Sequence, residues 1–350
     1  MKRLLLIGML IVAPLGVIAE EPIRLGAMGS LSGYGAEWGG DEINGTTLAV
    51  EQINQSGGVS GRRLELIVED NNSNQEQTAR GFAKLATISR VPVVFGPNWA
   101  EFAEGAAPLA QRPGVVMLTA SGWTRTLTDG RPLVFSTLPS HDDVVRPLCD
   151  FVAAKHPRVT LVHSENAYFA SLASSCAARL RARNVKELKE ESFPPGGSDF
   201  RSYFTRLRRE PPDAVVFFLL QGGENLSFLS QYRQSDMTLP LYASNGLIAD
   251  TELRSRPELA EGVIAFDFAL PATNEFTKAF LTRFKKSPGV YSARAYDNVF
   301  LVKQAAERCG WEPQALAKCL ASAKIKGVSG DLSFTPRRDV AVTNEVSVLV

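Results

Sequence analysis

Of the three histidines in this sequence, only His141 has carboxylates beside it that would suit acid–base catalysis. Asp142 and Asp143 follow it directly, and a carboxylate next to an imidazole can orient a general base. The same residues open a predicted helix, however, where aspartates cap the first turn and face the positive end of the helix dipole. The segment therefore indicates the start of a helix more strongly than a catalytic site.

Glycines cluster in the stretch Gly33-Tyr34-Gly35-Ala36-Glu37-Trp38, as they do in loops that cradle phosphates. Trp38 stands where a dinucleotide fingerprint requires its third glycine. The sequence contains neither a Gly-x-x-x-x-Gly-Lys-Ser/Thr phosphate loop nor a Gly-x-Ser-x-Gly nucleophile turn. We therefore expect no catalytic residues and no cofactor, and we predict that the protein is not an enzyme.

The four cysteines are expected to form disulfides, because oxidised pairs fit an exported chain better than free thiols do. No Cys-x-x-Cys or His-x-x-x-His spacing favours a metal site. Cys149 and Cys176 fall on two predicted helices that flank one strand, and Cys309 and Cys319 bracket a short segment. We favour the pairs Cys149 with Cys176 and Cys309 with Cys319. The two other connectivities remain open.

Residues 1–19 have the pattern of a cleaved signal peptide. Lys2 and Arg3 precede an apolar run over residues 4–18, and small residues come just before Glu20. The run is shorter than the roughly 20 residues that span a bilayer, and no cysteine follows it for a lipid anchor. We expect export to the periplasm, where disulfides persist.

Residues 20–350 exceed one typical domain core and predict two domains. The charges of the whole chain nearly cancel, at a formal +1. This balance gives no electrostatic reason to expect nucleic acid or an acidic membrane surface as a partner.

Short apolar runs alternate with helical patterns from Ile23 onward, which predicts βαβ units with parallel sheets. Asp41 is expected to cap the first helix, and Gly57-Gly58 to end it. The alternation restarts after Pro139-Ser140, which predicts a second α/β lobe. The predicted strands are 23–27, 64–68, 91–95, 115–118, 159–163, 214–220, 239–243, 332–334 and 345–350. The predicted helices of the second half are 167–183, 200–208, 225–234, 276–284 and 291–308.

Many short motifs follow one another at spacings that are typical of a single family. They are Gly29-Ser30-Leu31-Ser32-Gly33, Asn44-Gly45, Ala49-Val50-Glu51-Gln52-Ile53-Asn54, Gly57-Gly58-Val59-Ser60-Gly61, Glu69-Asp70-Asn71, Gly96-Pro97, Ser198-Asp199-Phe200, Pro212-Asp213-Ala214-Val215, Glu261-Gly262, Ala295-Tyr296-Asp297 and Gly327-Val328-Ser329-Gly330. In this order they resemble the type I periplasmic binding proteins, in particular the receptors for leucine, isoleucine and valine uptake. The resemblance spans essentially the whole mature chain.

The resemblance implies two doubly wound α/β lobes joined by three hinge crossovers. Lobe 1 is expected to comprise residues 20–140 and 271–329, and lobe 2 residues 141–270 and 330–350. A few connecting residues can then absorb a rotation while both cores stay packed. The solute is expected between the lobes, beyond the carboxyl ends of the strands.

On lobe 1, the resemblance places Trp38 over the side chain of the ligand, with a core tryptophan as the alternative. In the loop Asn98-Trp99-Ala100, relatives use a small hydroxyl residue at the place of Ala100 to hold a carboxylate. In the loop Ser121-Gly122-Trp123, relatives commonly have threonine at the place of Trp123. With a shifted alignment, Thr119 or Thr124 would supply that hydroxyl.

On lobe 2, Tyr168 matches a residue that often contacts the ligand on closure, and a packed helix-cap tyrosine is the alternative. Asn245 lies where amino-acid receptors often carry an acid that pairs with the ammonium group. Gln221 ends a strand and could reach the cleft, or it could be a solvated loop residue.

These departures change the expected solute. Each lost hydrogen bond to a charged group would remove roughly 1.5 to 3 kcal/mol, out of roughly 8 kcal/mol needed for micromolar binding. Trp38, Trp99 and Trp123 instead suggest a larger, flatter or less charged solute. We expect one of the amino-acid, amide or aromatic-carboxylate class.

The resulting hypothesis is a monomeric receptor that closes over its solute and presents it to ABC permease subunits in the inner membrane. The alternative is a periplasmic ligand-sensing protein that regulates a signalling partner.

Overall fold

The computed structural model describes residues 20–112, 114–120, 124, 126–220, 223–248, 252–267, 274–340 and 347–349. The predicted signal peptide, residues 1–19, lies outside the described residues. No helix in the described part of the chain combines the length and the apolar composition that crossing a membrane requires.

Strands and helices alternate along most of the chain. The strands are β1 Ile23–Gly29, β2 Leu64–Asp70, β3 Val93–Phe95, β4 Val116–Thr119, β5 Val134–Ser136, β6 Arg158–Ser164, β7 Glu187–Phe193, β8 Ala214–Phe218, β9 Leu241–Ala243, β10 Ile264–Asp267, β11 Lys324–Gly327, β12 Gly330–Ser333 and β13 Ser347–Leu349. The helices are α1 Ala36–Gln55, α2 Gln75–Ala83, α3 Ala100–Gln111, α4 His141–Lys155, α5 Ala167–Ala182, α6 Arg201–Arg209, α7 Glu224–Gln234, α8 Asn245–Ile248, α9 Asn274–Phe284, α10 Val290–Cys309 and α11 Pro313–Leu320.

Two separate sheets form the centres of two lobes. The first is wholly parallel, in the order β2-β1-β3-β4-β5. The second has the order β13-β10-β9-β8-β6-β7, and β13 alone runs antiparallel to its neighbour. Central strands such as β8 are buried on both faces, because helices cover both sides of each sheet.

The first helix begins earlier than the sequence predicts. Its N-cap is Gly35, and Ala36 is its first residue, so the predicted cap Asp41 lies within the helix. Glycine is tolerated at an N-cap without a side-chain hydrogen bond, and the carboxylate of Asp41 pairs with Lys286 instead. The predicted end of the helix at Gly57-Gly58 is confirmed, since both glycines adopt positive φ angles directly after it.

The C-terminal lobe boundary also differs from the prediction. Leu332 and Val340 are buried in the core of the first lobe, so residues 330–340 pack with lobe 1 rather than with lobe 2. β13 then joins the second sheet beside β10. Residues 341–346, between Val340 and β13, lie outside the described residues.

Both favoured disulfide pairs are confirmed. Cys149 and Cys176 join α4 to α5, with their Cα atoms 5.8 Å apart. Cys309 and Cys319 join α10 to α11, with a Cα separation of 6.3 Å. Each bond ties together two helices that pack on the same lobe.

An ion cluster reinforces the contact between α4 and α5. Asp150 accepts hydrogen bonds of 2.6 and 2.7 Å from Arg179 and of 2.9 and 3.0 Å from Arg183. These bonds, those from Arg179 above all, hold the pKa of Asp150 well below its usual range. Because the folded-state pKa is lowered, this stabilisation is present above the ordinary carboxyl pKa of about 4 and is lost as the pH falls further.

Asp150→Asn is therefore expected to lower the free energy of unfolding at pH 7 by on the order of 1 kcal/mol. The difference between the native protein and the variant should begin to shrink as the pH falls from about 4 to about 3, because the carboxyl of the unfolded chain then takes up protons while the native carboxylate stays ionised. Urea unfolding at both pH values measures this difference. A gap of the same size at pH 7 and pH 3 would contradict the assignment.

Candidate functional site

Each sheet has one point where the chain leaves neighbouring strands in opposite directions. In the first sheet this point lies between β1 and β3, and in the second between β6 and β8. Ligands of doubly wound sheets bind in the crevice outside the carboxyl ends of the strands at such a point. The helices that start there, α3 and α5, approach each other within 8 Å between Cα atoms of the two lobes. The candidate site is therefore the cleft between them.

Three aromatic rings form a row along the lobe 1 side of this cleft. The ring centroids of Trp38 and Trp99 are 5.0 Å apart, and those of Trp99 and Tyr34 are 5.3 Å apart, both edge-to-face. Trp38 is half-buried and does not belong to the buried face of α1. It therefore lies at the carboxyl edge of the sheet, where the sequence predicts a ligand contact; that contact itself stays a prediction.

The residue before Trp99, Asn98, anchors the loop by a buried hydrogen bond. The Asn98 side chain is fully buried and accepts a 2.8 Å hydrogen bond from the backbone N–H of Ser30. Ser30 in turn donates its hydroxyl to Asn71 at 2.8 Å. Trp99 occupies the N-cap position of α3 with φ at 66°, an uncommon backbone conformation for a non-glycine residue. Asn98 thus supports the loop from beneath the cleft surface.

The threonines that the sequence offered for holding a solute carboxylate donate their hydroxyls elsewhere, and Ala100 has no hydroxyl. Ala100 begins α3 and is buried, and its methyl group offers no hydrogen bond. Thr119 donates to the carbonyl of Pro97 at 2.8 Å, and Thr124 donates to Glu104 at 2.6 Å. Both hydroxyls therefore donate within the protein. The predicted contacts Ser121, Gly122 and Trp123 lie outside the described residues.

On lobe 2, Tyr168 is half-buried in the first turn of α5. Its ring lies edge-on to His141 at 4.8 Å and to Phe169 at 5.2 Å, and it packs against the lobe 2 core. Asn166 caps the helix by accepting from the Tyr168 N–H at 2.9 Å. Tyr168 thus combines packing with a place at the cleft, and its contact with solute stays a prediction.

Gln221 and the side chain of Asn245 lie outside the described residues. Asn245 is the first residue of α8, which follows β9. For both residues, contact with the solute therefore stays a prediction.

The segment at His141 opens a helix, as predicted, but its cap is a different residue. Ser140 is the N-cap and accepts from the backbone N–H of Asp143 at 3.3 Å. The Nδ1 atom of His141 lies 2.7 Å from the hydroxyl of Ser171. The histidine is fully buried, so it joins α4 to α5 inside lobe 2.

Sequence reasoning missed Arg294, a buried cation on α10. Its guanidinium donates a hydrogen bond to the carbonyl of Thr137, in the segment that leads from lobe 1 into lobe 2. Tyr168 is near enough to interact electrostatically with the guanidinium. Burial lowers its pKa to about 10, so it keeps its charge at neutral pH. The carboxylate of the neighbouring Asp297 accepts hydrogen bonds from the backbone N–H of Val328 and from the backbone N–H and hydroxyl of Ser329. The one sequence signal was a lone arginine flanked by two alanines.

A second missed residue, Glu224, organises the lobe 2 edge of the cleft. It is buried at the start of α7 and accepts from the Ser164 hydroxyl at 3.2 Å. It also accepts from the backbone N–H groups of Gly196 at 2.6 Å and Leu220 at 2.8 Å. One carboxylate therefore joins the ends of β6 and β8 to the loop after β7.

The sequence model of a family described as periplasmic binding protein matches residues 22–349. The chain belongs to the periplasmic binding protein family. The resemblance that the sequence motifs indicated is thereby confirmed.

Known relatives of this periplasmic binding protein span nearly its whole length. A leucine-, isoleucine-, valine-, threonine- and alanine-binding protein of Pseudomonas aeruginosa is 25% identical over 339 residues, which cover 92% of this chain and 88% of the relative. A Leu/Ile/Val-binding protein of Escherichia coli K12 is 23% identical over 349 residues, which cover 97% and 93% of the two chains.

Solved structures share its fold. The substrate-binding protein LivJ of Streptococcus pneumoniae, solved with isoleucine, has a TM-score of 0.79 at 24% identity and covers 94% of this chain and 100% of its own. A solute-binding protein of R. palustris, solved with benzoate, also has a TM-score of 0.79, at 18% identity, and covers 94% and 95%. The predicted fold class, two α/β lobes with parallel sheets, is confirmed.

Proposed function

We propose that this periplasmic binding protein is the receptor of an ABC importer, which holds one small solute between its lobes and passes it to permease subunits in the inner membrane. The observation that carries the proposal is the position of the two sheet crevices, which face each other through α3 and α5. A site shared by two lobes lets the solute stabilise the closed arrangement, which the permease can then recognise.

The proposed closure is a rotation about the three crossovers. Each lobe has its own buried core, so the connecting residues can change conformation without unpacking either lobe. The chain is proposed to act as a monomer, with neither nucleic acid nor cofactor, and the proposed role requires no chemical conversion of the solute.

The proposed solute belongs to the amino-acid, amide or aromatic-carboxylate class. Trp38 and Trp99 are proposed to supply an aromatic wall, and the buried charge of Arg294, which interacts electrostatically with Tyr168, is proposed to act from lobe 1 on the solute. An apolar body with an anionic group would match this combination. Isoleucine and benzoate, which are bound in two structures of similar fold, both have this form.

Transport is favoured over sensing because similar proteins are described as transporter substrate-binding proteins. The proposed location is the periplasm, after removal of residues 1–19. The basic and apolar pattern of that segment supports the location.

A thermal-shift panel of leucine, leucinamide and benzoate tests the proposed solute class. A solute that binds only the folded protein raises its melting temperature in proportion to the logarithm of its concentration above Kd. We expect benzoate to give a larger shift than leucine or leucinamide, because it carries an anionic group and needs no partner for an ammonium group, which Asn245 is not expected to supply. A dominant shift with leucine would contradict that expectation, and no shift with any of the three would contradict the class.

A further inference from the structure

A groove of about 660 Å³ lies on lobe 1, away from the interlobe cleft. It is bounded by α11, by the end of α3 and by residues 334–338. Pro132 and Leu133, which precede β5, also line it, so it opens at the amino end of that strand. The interlobe cleft is at the carboxyl ends of the same sheet, so the two sites are on opposite edges. The volume is within the range of small-molecule sites, roughly 300 to 1,000 Å³.

The floor of the groove is apolar. Leu133 and Phe135 are almost completely buried, and the ring of Phe334 meets that of Phe135 edge-to-face at 5.1 Å. Ala317 of α11 closes the floor with a small side chain. This surface would bind the hydrocarbon part of a ligand.

The polar groups around this floor donate hydrogen bonds and carry positive charge. Lys318 and Arg338 are the charged residues of the lining, and no carboxylate occurs among the described residues that line it. The nearby Asp339 accepts hydrogen bonds from Thr335 and Arg337. The groove therefore has an uncompensated preference for an anion.

Two lining residues, Gln111 and Arg338, each have a buried nitrogen without an acceptor, although Arg338 also donates to the carbonyl of Thr128 at 2.6 Å. The Nε2 atom of Gln111 and the Nε atom of Arg338 meet no hydrogen-bond partner among the described residues. Unsatisfied buried donors cost free energy that an acceptor from outside would recover. The apolar floor and the positive charge of the lining together favour an amphipathic anion.

We propose that this groove is a second binding site, which takes a small amphipathic carboxylate with its hydrocarbon part on Phe135 and Phe334 and its carboxylate toward Lys318 and Arg338. The site is independent of the solute in the interlobe cleft. It uses no residue that lines that cleft.

Isothermal titration of the full-length mature protein with octanoate tests the site, with octanamide and octylammonium as matched ligands. Octanoate is expected to bind one per chain and at least about tenfold more tightly than either matched ligand, because both lack the negative charge. Absence of saturable octanoate binding, or equal binding of octanamide, would overturn the proposal.

Single-residue variants test whether octanoate binds in this groove. Lys318→Glu is expected to weaken octanoate binding at least tenfold, and Ala321→Trp to block the rim of the groove. Lys278→Glu, with the same charge change at an exposed position of α9, is the control and should bind as the native protein does. Trp38→Ala should also leave octanoate binding unchanged. If Trp38→Ala removed it, or if Lys318→Glu and Lys278→Glu behaved alike, the groove would not be the site.

Discussion

Replacing Trp38 by alanine is expected to weaken binding of the solute that gives the largest thermal shift by about thirtyfold, with little change in the free energy of unfolding. A large aromatic side chain at the centre of a binding site commonly contributes about 2 kcal/mol or more. Trp38 is half-buried, and its ring contacts that of Trp99. It is not one of the residues that α1 buries in the core. Calorimetric titration gives the affinity, and urea unfolding gives the stability.

Trp311→Ala is the matched control for this experiment. Trp311 is also partly buried, but it packs against the lobe 1 core rather than near the cleft. Its removal should lower stability and leave the affinity unchanged. If Trp38→Ala reduced stability as Trp311→Ala does and kept its affinity, Trp38 would be a core residue.

Arg294→Met is expected to weaken binding of a carboxylate solute by roughly ten- to a hundredfold, since interactions with a charged group contribute about 1.5 to 3 kcal/mol. The neutral amide of the same solute should lose much less. The variant also removes the hydrogen bond to the Thr137 carbonyl, so comparing acid and amide separates the two effects. Titrating native and variant protein with benzoate and benzamide makes this comparison.

An equal loss for benzoate and benzamide would contradict a direct electrostatic role. It would mean that Arg294 acts by holding Thr137 and the first crossover. Arg294→Lys supplies a further check, because it keeps the charge and loses the planar guanidinium geometry.

The lobe organisation was predictable because its signals are local. Apolar runs mark the buried strands β3, β4, β8 and β9, and each was predicted to within two residues at either end. β7 was missed because it is an edge strand whose residues are largely exposed, so it carries charges instead of an apolar run. β13 was predicted, but its place beside β10 depends on long-range pairing.

The site was predictable only in outline. Ordered motifs placed Trp38, Trp99 and Tyr168 near the ends of the correct strands, and the structure puts them there. The burial of Asn98 and of Arg294 depends on packing between distant segments. Arginine is mostly exposed in proteins, so nothing local distinguished Arg294 from a surface residue.

The most direct test of the central claim is equilibrium dialysis of the purified mature protein against the panel solutes, followed by mass spectrometry of what the protein retains. The account predicts one solute per chain, released chemically unchanged when the protein is unfolded, and a smaller radius of gyration for the loaded protein. Recovery of a converted product, or retention without any contraction, would contradict a receptor that closes over its solute.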